Sequence, residues 1–175
     1  MSGKYRVFGA EVSPYSVKVR SYFRYKQIPH EWIVRDADSM AEYQKYAKLP
    51  IIPAVATPED EALQDSTPII EKVEERFPEP TVHPPGPLRF LSELVEEFGD
   101  EWGNKWMFHY RWAREADQWS AARRIAATLA PGASDEQREG IAAGVRDRIT
   151  MRFPPPRPAG APGCTAPGST TFAAV

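Results

Sequence analysis

The sequence predicts an α/β domain followed by an all-α region. Strand-like runs alternate with segments of helical spacing between residues 4 and 80. A proline-rich stretch follows at 78–87, with a composition typical of connectors between domains. From Leu88 to about Leu129 apolar residues recur three or four positions apart, which indicates helix. The order predicted for the first part is β-α-β-α-β-β-α.

The first three elements are predicted to form a βαβ unit. Residues 5–8 are a strand-like run that ends at Gly9. Ser13-Pro14 then opens a helix whose apolar residues continue to Tyr25. Pro29 ends this helix because proline disfavours helical geometry in the residue before it, and residues 31–34 alternate as a second strand does.

The rest of the α/β domain continues the alternation. A short helix is predicted over 39–46, and a strand over 51–56 that is entered through proline. This strand pairs across a turn at 58–60 with a strand over 62–64. Asp65-Ser66-Thr67-Pro68 is a strong helix start, followed by a buried stripe that includes Ile69 and Val73.

These elements divide the chain into four parts. We predict a first domain over residues 1–79, a linker over 80–87, a helical domain over 88–150 and a disordered tail over 151–175. Gly99 and Gly103 are predicted weak points of the long helical stretch, and Ser134 begins its last helix. The tail is rich in proline and glycine, lacks acidic residues and has no periodicity.

Composition narrows the classes of function. The chain has 175 residues, 42% of them hydrophobic, which is enough for a real core. The chain has 22 Lys and Arg residues and 24 Asp and Glu residues, which gives a net charge of −2. A nucleic-acid-binding protein is usually basic, so this charge does not favour nucleic acid as a partner. No apolar run is long enough for a bilayer, and we expect a cytoplasmic protein. The single cysteine, Cys164, excludes an internal disulfide and a CxxC site, and the isolated histidines predict no metal site.

Between the first strand and the first helix stands Ser13-Pro14-Tyr15-Ser16, where glutaredoxins carry Cys-Pro-Tyr-Cys. Ile52-Pro53 and Asp65-Ser66 follow this motif in the chain. With these three motifs in this order, residues 4–80 resemble the thioredoxin-like domain of the glutathione transferase family. Both cysteine positions are serine, so disulfide exchange at this motif is excluded.

The resemblance implies that Ser13 is the catalytic residue. In the family, a hydroxyl at this helix N-terminus donates a hydrogen bond to the sulfur of glutathione and favours the thiolate. Tyr15 and Ser16 are the alternative donors and implied glutathione contacts. The competing interpretation is structural, because Ser followed by Pro is also an ordinary helix cap.

The resemblance also implies the remaining glutathione contacts. Ile52 before Pro53 would offer its backbone to the cysteinyl part, as at the family's cis-proline, although a trans proline is the commoner state. Ser66 would hold the γ-glutamyl carboxylate at a helix N-terminus, and Asp65 the α-amino group. Lys48 is the nearest cation for the glycine carboxylate.

In the family an apolar co-substrate lies beside the helix after the linker, which here carries Trp106 and Tyr110. Aromatic residues at helical spacing more often belong to a hydrophobic core.

The family's helical domain is longer than residues 88–150, so this one is expected to be incomplete. An incomplete domain exposes apolar helix faces, which favours a homodimer. The function implied is thiolate attack on a small electrophile with glutathione as co-substrate and no metal. The alternative is a non-catalytic binding or scaffold protein of the same fold.

Overall fold

The computed structural model describes residues 3–153, and its first half is a mixed sheet of four strands in the order β2-β1-β3-β4. The central strand β1 runs parallel to β2 and antiparallel to β3, and β4 lies antiparallel to β3. The central strands β1 and β3 are buried along almost their whole length, as strands covered on both faces of a sheet are. The strands are β1 (Tyr5–Gly9), β2 (His30–Val34), β3 (Ala54–Ala56) and β4 (Ala62–Gln64).

Three helices cover the two faces of this sheet: α1 (Pro14–Tyr25), α2 (Met40–Tyr46) and α3 (Ser66–Arg76). Val7 and Val55 pack with residues of α1 and α3, including Phe23 and Ile69, in a core on one face. Phe8 packs on the other face with tyrosines of α2. The order β-α-β-α-β-β-α and the helical region that follows confirm the predicted fold class.

A buried ion pair ties α1 to α3 and to the connector. The Lys26 side chain is fully buried, and its Nζ lies 2.7 Å from a carboxylate oxygen of Glu74. Tyr22 donates its hydroxyl proton to the same carboxylate at 2.6 Å, and the Val82 N–H donates to its other oxygen at 3.1 Å. The carboxylate is therefore satisfied by three partners, two from α1 and its C-cap and one from the connector, as burial of a charge requires.

The second half consists of helices, and the predicted weak points fall in an irregular turn. Gly99–Gly103 form a π-helical turn that joins α4 to α5, so the long helix continues but widens at the two glycines. Such turns occur mainly as single insertions in α-helices, often at functional sites. The helices are α4 (Pro87–Phe98), α5 (Asn104–Trp112), α6 (Glu115–Leu129) and α7 (Asp135–Arg152).

Two features hold α5, α6 and α7 together. Trp112, Ala122, Ala126 and Ala142 form a small buried core. Ser134 begins α7 with a reciprocal capping box, in which its side chain and that of Gln137 each accept a backbone N–H. The last helix continues through Arg152, and the rest of the expected tail lies outside the described residues.

Every fourth residue from 90 to 110 is a large apolar side chain, about half exposed or more. We call this row the apolar ridge: Phe90, Leu94, Phe98, Trp102, Trp106 and Tyr110. A charged row runs beside it in the sequence pattern: Arg89, Glu93, Glu97, Glu101, Lys105 and His109. Within residues 3–153, α4 itself contributes no buried residue. No helix in that range is long and apolar enough to cross a membrane.

Candidate functional site

The loop that leads into β3 is held from two sides. The Gln64 side chain donates to the Leu49 carbonyl at 2.6 Å and to the Ile51 carbonyl at 3.1 Å, and it accepts the Leu49 N–H at 3.0 Å. Tyr43, buried beneath the sheet, also donates its hydroxyl proton to the Ile51 carbonyl at 2.8 Å. These bonds fix the path of the loop immediately before Pro53.

The start of α3 lies on the other side of the site from this loop. Asp65 adopts a left-handed backbone with φ 74°, which is uncommon for a residue other than glycine and often marks a functional position. The N–H groups of Ser66 and Thr67 begin the helix and have no acceptor within it, so they form the kind of site that binds a carboxylate.

A cavity of about 320 Å³ lies between this helix start, the loop before β3 and the first turn of α1. Five of the residues predicted from the sequence line it together, and two further loop residues join them. The described residues in its lining are Tyr15, Pro50, Ile51, Ile52, Pro53, Asp65 and Ser66. The Ile52-Pro53 peptide bond is cis, the state that the resemblance implies.

The two predicted serines of the motif have different environments. Ser13 is half-buried and caps α1, accepting the Ser16 N–H on its hydroxyl oxygen at 3.3 Å. Its hydroxyl proton is not used in that bond and can be donated elsewhere. Ser16 is fully buried below Gly9, and its hydroxyl has no hydrogen-bond partner among residues 3–153. A side chain on Gly9 would come within 2.8 Å of the Ser16 Cβ, so the strand and helix meet here closely.

Tyr15 is the only residue of the described part of α1 in the cavity lining. It donates its hydroxyl proton to the backbone carbonyl of Asp100 in the π-helical turn at 2.8 Å. Burial raises its pKa, and the nearby negative charges of Asp100 and Glu101 add to the increase. Tyr15 is therefore a neutral hydroxyl already engaged with the helical region.

Five predicted site residues lie outside the described lining of the cavity: Ser13, Ser16, Lys48, Trp106 and Tyr110. Ser13 stands at the start of α1, and Lys48 is exposed on the loop after α2. Trp106 and Tyr110 belong to the apolar ridge on α5, where they are 52% and 68% exposed. The structure therefore brings the cis-proline loop, Tyr15 and the α3 start together, and places these two aromatic residues on an open helix face.

Sequence reasoning missed several residues around the site. Pro50 and Ile51 line the cavity, and Gln64 holds the loop that carries them. Lys18 and Asp100 form an ion pair of 2.7 Å behind the cavity. The signal for Asp100 was its position between the two glycines already marked as weak points, whereas an isolated lysine on a helix carries no such signal. Among the described residues, no group of His, Cys, Asp or Glu side chains is arranged to hold a metal ion.

Residues 7–81 match the family model described as the N-terminal domain of glutathione S-transferase. A glutathione S-transferase from Methylobacterium radiotolerans, solved with glutathione sulfonate, has a similar structure, with a TM-score of 0.52 at 18% identity over 86% of this chain and 92% of its own. A glutathione S-transferase from Rhodospirillum rubrum has a TM-score of 0.53 at 15% identity, over 85% and 89%. Glutathione transferase Omega 3C from Trametes versicolor has a TM-score of 0.56 at 17% identity, over 87% and 77%.

None of the curated proteins matches the chain in sequence. The solved structures support the order of a mixed sheet followed by helices, since likeness at such low identity reports the fold. The family match covers the strands and helices that build the cavity. Residues 7–81 of this chain therefore match the N-terminal domain of the glutathione S-transferase family, and the chain has the fold of the solved structures named above.

Proposed function

We propose that this chain binds glutathione in the 320 Å³ cavity and activates its thiol for attack on a small electrophile. The observation that carries the proposal is that Tyr15, Ile52, Pro53, Asp65 and Ser66, chosen from the sequence alone, line one cavity. The α3 start suits the γ-glutamyl carboxylate because its N–H groups and helix dipole favour an anion. The cytoplasm, where the glutathione pool is kept reduced, is the proposed compartment.

Among the proposed contacts, Asp65 pairs with the α-amino group and the Ile52 backbone holds the cysteinyl part. Lys48 reaches the glycine carboxylate from its exposed loop. Ser13 is the proposed donor to the sulfur, since its hydroxyl proton is free of the cap bond and the α1 dipole favours a thiolate. The Tyr15 proton is taken by the Asp100 carbonyl and Ser16 is buried, so both are weaker candidates.

Calorimetric titration of glutathione into the full chain tests the binding site. We expect saturable binding that Ser66→Ala weakens by about 1.5 kcal/mol or more, the size of a hydrogen bond to a charged group. Ser120→Ala, at an exposed serine of α6, is the matched control and should leave the affinity unchanged. Absence of binding at millimolar glutathione would remove this function.

The thiol pKa of bound glutathione tests catalysis separately. Followed by the ultraviolet absorbance of the thiolate across a pH series, this pKa should lie below that of free glutathione and rise in Ser13→Ala. A shift of one pH unit corresponds to about 1.4 kcal/mol of thiolate stabilisation. Binding with an unshifted thiol would favour the second candidate, a non-catalytic binding or scaffold protein, which the exposed apolar ridge independently supports.

A homodimer through the apolar ridge is the proposed assembly. Exposed aromatic rows of this length usually mark a protein interface. In the charged row, the acidic residues Glu93, Glu97 and Glu101 are followed by the cation Lys105. In an antiparallel pair, the acidic residues of each helix face Lys105 of the other, so these charges are complementary. Trp106 and Tyr110 then serve either this interface or a co-substrate, and the dimer test separates the two roles.

Sedimentation equilibrium tests the dimer. Phe98→Glu should leave only monomers, because it places a charge inside the interface. Lys105→Glu should weaken association, and Glu97→Lys added to it should restore part of the loss if the helices are antiparallel. Arg123→Glu, on α6 away from the ridge, is the control. A wild-type monomer at all concentrations would overturn the dimer and leave the aromatic residues to a co-substrate.

A further inference from the structure

Behind the cavity, four polar side chains join the first half of the chain to the π-helical turn. Lys18 Nζ lies 2.6 Å from Glu96 Oε1 and 2.7 Å from Asp100 Oδ2. Thr67 donates its hydroxyl proton to Glu96 Oε1 at 2.9 Å. The three charged side chains are only 21–23% exposed. We call Lys18, Thr67, Glu96 and Asp100 the clamp.

Two members of the clamp lie close in the chain to residues that line the cavity. Thr67 follows Ser66 at the start of α3, and Lys18 lies one helical turn after Tyr15 on α1. The clamp therefore fixes both helix starts that line the cavity. Tyr15 adds a direct link, since its hydroxyl is bound to the backbone carbonyl of Asp100 itself.

Glu96 and Asp100 lie four residues apart, so both side chains are on the same side of the long helix. Asp100 belongs to the π-helical turn, whose residues Gly99–Gly103 follow directly after α4. Both carboxylates then reach the same ammonium group, and the Asp100 carbonyl remains open to Tyr15.

The charges of the clamp are strongly interdependent. Burial works to raise the pKa of Glu96, but hydrogen bonds from Lys18 and Thr67 hold it below its ordinary value. Lys18 is the one cation within bonding distance of both carboxylates in the described structure. Removing Lys18 would leave two mostly buried carboxylates side by side, whereas replacing Asp100 with Asn removes one charge and keeps the shape.

We propose that Asp100 is a positioning residue for the glutathione site, through which docking of the helical region sets the affinity of the cavity. This inference rests on the proposed glutathione binding and extends it to a residue outside the cavity lining. Glutathione held by the α1 and α3 starts binds most tightly when the clamp is closed, because the clamp orders those two helix starts in advance. Binding and docking are then linked, and each strengthens the other.

The first experiment uses the full chain without ligand. Hydrogen exchange at the backbone amides of Tyr15, Ser66 and Thr67 is compared in wild type, Asp100→Asn and Glu101→Gln. Glu101 is the matched control, since it lies in the same turn but points its exposed carboxylate to Lys105. We expect faster exchange at these amides in Asp100→Asn only. Equal exchange in all three proteins would overturn the clamp whether or not glutathione binds.

The second experiment is calorimetric titration of glutathione into the same proteins. Asp100→Asn should weaken binding about tenfold, the size of one lost charge-assisted hydrogen bond, and Glu101→Gln should change it less than about twofold. In a double-mutant cycle, Tyr15→Phe and Asp100→Asn should be non-additive, because each removes a different bond that docks the same π-helical turn. Full wild-type affinity in Asp100→Asn would overturn the inference. Absence of binding by the wild type would overturn the proposed function and with it the effect on affinity, while the exchange result would still decide whether the clamp orders the two helix starts. A general loss of folding is recognised because it would lower the thermal midpoint and accelerate exchange at all amides.

Discussion

The N-terminal domain and the long helix that follows it treat their apolar residues in opposite ways. Val7, Val19 and Phe23 are completely buried between the sheet and its helices. Phe98 and Val95 on α4 are 49% and 70% exposed, although the helix has the same apolar periodicity as α1. The difference teaches that periodicity establishes a helix face, while only a neighbouring element decides whether that face is covered.

The same contrast holds for charges. Lys26 and Glu74 form a buried pair with further hydrogen bonds, whereas Arg89 and Glu93 form an exposed pair along α4. A buried pair is costly to break and an exposed pair contributes little. The N-terminal domain is therefore expected to supply most of the free energy of unfolding, and the ridge to supply surface for a partner.

The largest effect is expected from matched phenylalanine truncations in the two regions. Phe23→Ala should lower the free energy of unfolding by about 3–5 kcal/mol, because it leaves a cavity in a closed core. Phe98→Ala should cost less than about 0.5 kcal/mol in the monomer, since no closed core surrounds it. Urea unfolding at low protein concentration measures both. Equal losses would show that the ridge is covered within the chain itself.

Breaking the two ion pairs should give the next largest difference. Lys26→Met leaves the Glu74 carboxylate buried without its cation and should cost about 3 kcal/mol. Arg89→Met should cost at most about 0.5 kcal/mol, as for other exposed pairs four residues apart on a helix. Chemical denaturation with both variants is the measurement. A small effect of Lys26→Met would mean that Tyr22 and the connector satisfy Glu74 without the lysine.

A smaller effect is expected at the start of α7. Ser134→Ala removes the side chain that accepts the Gln137 N–H and should lower stability by about 1 kcal/mol. Ser120→Ala, at an exposed position inside α6, should have almost no effect. Thermal unfolding followed by circular dichroism compares the two. If the variants behave alike, the capping box does not limit the stability of the helical region.

The smallest effect is expected in how the free energy of unfolding changes at acidic pH. Burial works to raise the pKa of Glu74, but hydrogen bonds from Lys26 and Tyr22 bring it below the ordinary value of 4.5. A lowered folded-state pKa means that the stabilisation is fully present above pH 4.5 and is lost as the pH falls through the folded value. In Glu74→Gln, the free energy of unfolding should therefore fall less steeply as the pH drops below 4.5. Glu93→Gln, in the exposed pair, should leave that curve unchanged.

Five of the seven described residues in the cavity lining were predicted from the sequence, because this lining depends on local backbone features. The proline before β3 and the Asp65-Ser66 helix start are visible in the chain, and both line the cavity. Ser16 was predicted as a contact but is fully buried, because the close approach of Gly9 is a tertiary property. The position of Asp100 between two glycines marked only a weak point of the helix, and its role stayed hidden because its partners lie 82 and 85 positions away in the sequence.

The sequence by itself determined the order of strands and helices in the first part of the chain, its resemblance to the N-terminal domain of glutathione S-transferases, and five of the residues that line the cavity. Periodicity, prolines and caps act between near neighbours in the chain, so they can be read without a fold. The tertiary structure alone decided which faces are covered, that the ridge is open within residues 3–153, and that Lys18 holds Glu96 and Asp100. Burial and ion pairing depend on distances between segments far apart in sequence, and these exist only once the chain has packed.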